Sequence, residues 1–491
     1  MTDGYRRLHP ATVVIELARQ IGRLIYIILF VLIASLLGGR GDTTEIWLGV
    51  LGLIGVVFAV VRYLSFRFRV GDGVLEIRTG ILARQLRTIP LASIQNINVR
   101  ETLIHRPFGT VDLEIETGSG LGGEAKLSAL GRADAELLRR VLRGGQVAFE
   151  LPVEVADGTI WRATSKDLLL LGMTDNRAGA IVGAYFGLSV AGGEQVVTLR
   201  RILESAGAVV AGGGQAAPWV NLVAGGVMLV LVGWLLAIVT AFVRYHGFVL
   251  LSEPRGLVRR FGLTTRVENV IVLARLQTIA FRANWIRRKL GLWEAEASTT
   301  GAFTHGAEQA ATSTVLCPLI RAEDRWPLAK RVFAGLDAAR LNWRGVHPFA
   351  VRRGFFGALY LLGALVALAA FFLDRSWWWG LFGVVPVAMW YGSRRWRVMR
   401  FAWQDGFLVV RSGVLTRRYW VVPEGKVQHV AVVQSPFQRR AGVMDLHVAS
   451  ASVGTLAHAT IYDLPVEEAL ALQDELSRRA EASGAWMPDA V

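Results

Sequence analysis

The sequence predicts an α+β membrane protein in which transmembrane helical hairpins alternate with three antiparallel β-domains, each capped by a C-terminal helix. Three observations predict it. Six long stretches carry no charged residue: Leu24–Leu37, Ile46–Val61, Ala178–Ala191, Pro218–Val243, Gly354–Leu373 and Trp377–Tyr391. The polar sequence between them repeats itself. Within each repeat, apolar and polar residues alternate with the period of a half-buried strand.

Composition supports the membrane assignment. Of 491 residues, 53% are hydrophobic, and the mean hydropathy of +0.41 is high for a soluble protein. A bilayer is crossed by about 17–25 apolar residues in a helix. Pro218–Val243 and Gly354–Leu373 reach that length, whereas the other four stretches need snorkelling flanks or a thinned bilayer. Ala178–Ala191, crowded at its start by Asp175, Asn176 and Arg177, reads either as a span or as a re-entrant or interfacial segment. Arg6, Arg7 and Arg19 precede the first apolar run, but no small-residue cleavage site follows it, so the run is expected to remain as an anchor.

The stretches pair across three loops, Gly38–Glu45, Gly192–Ala217 and Asp374–Ser376. These loops hold only Arg40, Arg200, Arg201 and Arg375 among the 54 basic residues of the chain. Cytoplasmic segments near membrane ends carry the Lys/Arg excess. Both termini and all large polar segments are therefore expected on the cytoplasmic side, and the net charge of +15 is a consequence of topology.

Taken in order, the chain divides into an N-terminal segment with hairpin 1 (1–62), a β-domain (63–150), hairpin 2 (166–243, with a mobile loop at 192–217), a second β-domain (244–345), hairpin 3 (354–391) and a third β-domain (392–482). At an offset of 333, Asp72-Gly73 falls on Asp405-Gly406, Gly80 on Gly413, Pro90 on Pro423, Gln95 on Gln428, Arg106 on Arg439, Gly109 on Gly442 and Asp112 on Asp445. At an offset of 182, Gly80 meets Gly262, Arg84 meets Arg266, Gln95 meets Gln277, Arg106 meets Arg288 and Gly109 meets Gly291. The middle copy departs at Val272 and at Pro254-Arg255, where its turn is expected to move to Glu253–Gly256.

Asp-Gly marks a tight hairpin turn. Gly80 and Gly413 are expected at positive φ. Pro90 and Pro423, lacking an N–H, are expected at a strand end or edge. Val111, Leu113 and Ile115 should face a core while Asp112, Glu114 and Glu116 face water, and Met444, Leu446 and Val448 repeat the pattern. Helices are expected at Ala133–Arg143, Asp324–Leu336 and Pro465–Leu476, with Pro327 and Pro465 suited to a first turn. Antiparallel strands closed by a helix form a small open barrel or an orthogonal sandwich.

The hairpin followed by G-x-x-x-R (Gly80 to Arg84), the mid-domain Gln95 and the R-x-x-G turn (Arg106 to Gly109) resemble bacterial pleckstrin-homology-like membrane proteins of the YdbT type, over nearly the whole chain. The resemblance implies three PH-like domains, each with seven strands in two near-orthogonal sheets capped by a helix. It also implies a shorter single-domain relative as a partner, and it carries no catalytic residues.

Reactive chemistry is not expected. The eight histidines are isolated, and His105 reads as a solvated turn residue. His429 and His447 read as strand residues, and His246 as interfacial. The single cysteine, Cys317, excludes a thiolate cluster and an internal disulfide. Gly212-Gly213-Gly214 lacks the Lys-Ser/Thr of a phosphate loop. No catalytic residue, cofactor or metal is expected.

The basic residues offer either solvated faces or contacts to an anionic leaflet, each worth about 1 kcal/mol near the surface. Arg84, Arg106, Arg266, Arg288, Arg417 and Arg439 are the candidate lipid or partner contacts. Arg106, Arg288 and Arg439 either face the membrane or a domain junction, or brace their turn through backbone carbonyls. WIRRKLG, Trp285–Gly291, mixes aromatic, aliphatic and basic residues as an interfacial contact would. The expected partners are anionic phospholipid headgroups, a single-domain relative and a second copy of the chain. Nucleic acid is not expected, because no stacking platform accompanies the charge.

The function expected is that of a non-enzymatic scaffold of three cytoplasmic domains on the membrane. The alternative is a transporter or exporter of a lipid or peptide. Its weakness is the lack of ionisable residues inside the spans.

Overall fold

The computed structural model describes residues 6–7, 9–15, 63, 65–71, 73–79, 85–91, 94–117, 125–142, 158–174, 218–253, 256–299, 315–372, 378–404, 406–450 and 458–482. The chain divides into two compact units, Met1–Thr159 with Leu251–Val270, and Ile160–Leu250 with Ile271–Val491.

Every repeat contributes four strands, then three strands, then a helix. In the first copy β1 (Arg6–Arg7), β2 (Arg67–Gly71), β3 (Val74–Thr79) and β4 (Gln85–Pro90) form one antiparallel sheet in that order. β5 (Ile94–Thr102), β6 (Thr110–Thr117) and β7 (Ala125–Gly131) follow, then α1 (Arg132–Leu142). The expected alternation holds on its apolar side: Val111, Leu113 and Ile115 are buried with Phe68, Leu75, Ile77 and Ile89 of the first sheet and Ala135 and Leu138 of α1. The two sheets thus share one core closed by the helix. Burying each such aliphatic side chain contributes about 1.5–3 kcal/mol.

The second copy supplies β8 (Thr159–Arg162), α2 (Ser165–Met173), α3 (Pro218–Tyr245), β9 (Val249–Glu253), β10 (Gly256–Phe261) and β11 (Thr265–Val272). It continues with β12 (Leu276–Asn284), α4 (Trp285–Lys289), β13 (Leu292–Thr299), β14 (Val315–Arg321) and α5 (Arg325–Val332). The third supplies β15 (Arg344–Gly345), α6 (Phe349–Phe372), α7 (Gly380–Val398), β16 (Arg400–Gln404), β17 (Phe407–Ser412) and β18 (Thr416–Pro423). It ends with β19 (Val427–Val433), α8 (Pro436–Arg440), β20 (Val443–Ser450), β21 (His458–Pro465) and α9 (Val466–Ala482).

The turn chemistry follows the sequence. Gly73 and Gly406 have φ of 75° and 84°, and Gly262 and Gly413 have 110° and 90°. At Gly413 an added Cβ would collide with Thr416 O. Gly80 lies outside the described residues, as does the displaced turn at 254–255. Pro90 and Pro423 each end a strand. Met444, Leu446 and Val448 are buried in the third core with Ala469, Leu472, Leu476 and Ala480, the inward stripe of α9. That helix runs six residues past the expected end, because the stripe continues at i+4 to Ala480.

The repeats are joined strand to strand, which the sequence reading did not anticipate. β5 pairs antiparallel with β11, and β12 pairs antiparallel with β18. In the second unit one sheet therefore runs β14-β13-β12-β18-β17-β16-β15, with β19-β20-β21 as a separate sheet. An aromatic cluster seals the β12–β18 junction: Tyr419 meets Trp293, Trp326 and Trp343 edge-on, and the Arg325 guanidinium lies 4.8 Å from the Trp293 and Tyr419 ring centres.

Among the described residues, one helix is long and apolar enough to cross a membrane: α6, over Phe349–Ala367. α3 has a shorter apolar stretch, Val230–Tyr245. The expected stretch Trp377–Tyr391 falls largely on α7, while Leu24–Leu37, Ile46–Val61 and Ala178–Ala191 lie outside the described residues. α6 and α7 meet where Gly354 faces Gly392; a Cβ on Gly392 would stand 2.5 Å from Val351 O and 2.9 Å from Phe355 N. α2 packs on α3 in the same manner, with Gly172 against Ile238.

Candidate functional site

The R-x-x-G segment forms a short helical turn between the first and second strands of each three-stranded half. In the first copy it is a 3-10 turn, Arg106–Phe108, closed by Gly109 at φ 59°. In the second it is α4, with Asn284 Oδ1 accepting from Arg287 N at 2.8 Å and Gly291 at φ 68°. In the third it is α8, capped by Ser435 with Gln438 reciprocating and ended by Gly442 at φ 64°. The glycine is needed because the chain reverses in the left-handed region.

A carboxylate at the start of the next strand lies beneath each turn. In the first copy it is Asp112, which is buried and accepts from Ala129 N at 2.9 Å. Asp112 also meets His105 Nε2 at 3.1 Å, and His105 Nδ1 is bonded to Thr102 Oγ1. His105 is thus fully buried, not solvated, and Asp112 does not share the open face. Glu114 does keep that face, paired with Arg100 at 3.0 Å.

In the second copy the carboxylate is Glu294, 3.0 Å from Arg287 Nη1. Arg287 Nε donates to Thr174 Oγ1 at 3.0 Å and Asn284 Nδ2 donates to Thr174 O at 2.7 Å, which fixes the C-terminal end of α2. In the third copy Arg353 of α6 donates from Nη1 to both oxygens of Asp445, at 3.0 and 2.8 Å, and to Asp463 Oδ1 at 3.3 Å. Gln438 Nε2 donates to Asp445 Oδ1 at 2.7 Å, and Asp463 N to the same oxygen at 2.9 Å. Asp463 and Ala129 are the non-glycine residues at positive φ among those described. In the second and third copies this acidic socket fastens the β-domain to the preceding helix.

Of the candidate arginines, Arg106, Arg266, Arg288 and Arg417 lie at the junctions between copies. Arg106 Nη2 donates to Leu263 O, in the turn before β11, at 2.6 Å. It braces the next copy's turn instead of its own. Arg266, on β11, is exposed and stands opposite Glu101 of β5. Arg288 and Arg417 come together at the second junction. Burial lowers the Arg288 ionisation, and the nearby Arg394 guanidinium lowers it further. Burial likewise lowers that of Arg417, followed by repulsion from Arg288. Arg439 is exposed on α8, and Arg84 lies outside the described residues.

Exposed apolar side chains stand beside these arginines. Leu103, Ile104 and Phe108 protrude in the first copy, Trp285, Ile286 and Leu290 at the aligned positions of the second, and Phe437, 74% exposed, in the third. Sequence reasoning found this mixture only at Trp285–Gly291. It missed the socket acids and their partners Arg353 and Thr174. The signal available was a carboxylate at the same place in all three copies. Cys317 is buried, and burial raises its thiol ionisation, in keeping with a passive residue. His447 bonds Thr460 Oγ1 at 3.0 Å, and His246 packs against Phe242.

A bacterial PH domain model matches residues 12–146, 198–326 and 351–480. The chain is 23% identical to the UPF0699 transmembrane protein YdbT of Bacillus subtilis (strain 168), over 96% of this chain and 97% of that protein. No solved structure matches it significantly. With three matched stretches, one in each repeat, that together cover most of its length, the chain belongs to the bacterial PH domain family.

Proposed function

We propose that the protein is a non-enzymatic, polytopic inner-membrane protein whose three cytoplasmic PH-like domains form a scaffold on the anionic leaflet. The observation that carries this reading is the composition and placement of the turns. Each turn joins arginine to exposed apolar side chains, and α8 sits on the socket that holds Arg353, near the start of the apolar helix α6. Apolar groups at that level enter the headgroup layer while the arginines meet phosphates. The transmembrane relative supports the membrane setting.

The test uses the full chain, with Cys317→Ala and Phe437→Cys, carrying an environment-sensitive dye at position 437 and reconstituted in vesicles. With phosphatidylglycerol in the bilayer the dye emission should shift to the blue relative to pure phosphatidylcholine. High salt should reverse the shift, since exposed charge interactions are screened beyond about 3 Å at 1 M. Identical emission in both vesicles would remove headgroup contact from the reading.

A further inference from the structure

The two junctions inside the chain are made in one register. β5 and β11 set Thr102 opposite Thr265, Glu101 opposite Arg266, Arg100 opposite Val267 and Val99 opposite Glu268. β12 and β18 set Asn284 opposite Thr416, Ala283 opposite Arg417, Arg282 opposite Arg418 and Phe281 opposite Tyr419. The repeat offsets carry Thr102 onto Asn284 and Thr265 onto Thr416, so the same positions meet both times. Each copy therefore has one edge that reaches forward (β5, β12 or β19) and one that receives (β4, β11 or β18).

β19 and β4 break this rule. Each is the terminal strand of its sheet, and among the described residues no strand pairs with its outer edge. The other terminal strands, β1, β8 and β15 at one side and β7, β14 and β21 at the other, are terminal in all three copies and so are ordinary ends of the domain. Natural sheets blunt an open edge with charge, bulges or a cover. β19, with the sequence VQHVAVV, carries no Lys, Arg, Asp or Glu. On β4, Leu86 is 57% exposed, and on β19 Val433 is 52% exposed.

We infer that β19 of one molecule pairs antiparallel with β4 of a second copy of this chain, in the register of the internal junctions. Val433 then stands opposite the second copy's Gln85, Val432 opposite its Leu86, Ala431 opposite its Arg87 and Val430 opposite its Thr88. The Val432–Leu86 pair occupies the place of Phe281–Tyr419 and covers an apolar side chain otherwise left in water. The contact is heterologous, using different surfaces on the two molecules, so it extends the strand-to-strand series head to tail. It needs no lipid contact and stands apart from the headgroup reading.

The experiment uses two purified full-length chains, both Cys317→Ala, one carrying Gln85→Cys and the other Val433→Cys, reconstituted together in vesicles and oxidised. Opposed residues of an antiparallel pair have Cα atoms about 4.5–5.5 Å apart, within disulfide range. Both positions are exposed, so unchanged melting temperatures will show that the fold survives. The expected result is a disulfide-linked dimer in the mixture and none with either variant alone. It should form equally with neutral and anionic lipids and be lost when Val432→Pro is added to the second chain. A mixture that stays uncross-linked while both cysteines react with maleimide would overturn the inference. So would a dimer of equal yield from Gln85→Cys alone, or one indifferent to Val432→Pro.

Discussion

Asp445 accepts from Arg353, Gln438 and the amide of Asp463, all within 3.0 Å. A buried carboxylate tolerates its charge only with such a complement of donors. Asp445→Asn leaves Arg353 and Asp463 without this hub. Removing one partner of a buried pair costs about 3–5 kcal/mol, and the partial exposure of Arg353 places the loss at the lower end, about 3 kcal/mol. A thermal melt of the purified chain should register it, and a melt unchanged from wild type would deny the socket its anchoring role.

His447 gives a pH signature. Burial holds its ionisation below the ordinary 6.5, against the pull of Asp445. The unfolded chain then takes up the proton at higher pH than the folded one. Stability associated with this residue is complete above the ordinary value and is lost as pH falls toward the lower folded value. Between about pH 7 and pH 5 the melting temperature should fall less steeply for His447→Gln than for wild type; parallel curves would contradict this. At this scale the sequence was legible where one residue decides its own environment, as at Cys317 or Gly413. It misled where a fold-level neighbour decides: His105 is buried because β6 and β7 bring Asp112 and Ala129 over it.

The strands were the most legible elements, since period-two alternation and Asp-Gly turns are local. The closing helices were legible in place but not in length. Joining of β5 to β11 and β12 to β18 was not legible, because edge pairing depends on which backbone groups are left open, and periodicity does not encode that. The close approach of α6 and α7 was likewise hidden among many glycines. Gly392→Val should separate those helices, since its side chain meets Val351 O and Phe355 N. Overpacking of this kind costs about 1–3 kcal/mol. Limited proteolysis should cut the variant faster, whereas Gly383→Val, where nothing lies within 4 Å of the added Cβ, should resemble wild type.

For the whole molecule, the threefold repeat was legible because it is a sum over the chain, insensitive to any single boundary. Of the candidate arginines, the structure joins Arg106 to Leu263 O and brings Arg288 to Arg417, which only the alignment of copies hinted at. Whether the arginine-bearing turns lie on the inner leaflet can be read with a membrane-impermeant maleimide applied to cells producing the Cys317→Ala, Phe437→Cys chain. No labelling of position 437 is expected in intact cells, and labelling is expected in inverted vesicles once high salt releases the turn. Labelling of intact cells from the outside would contradict that placement.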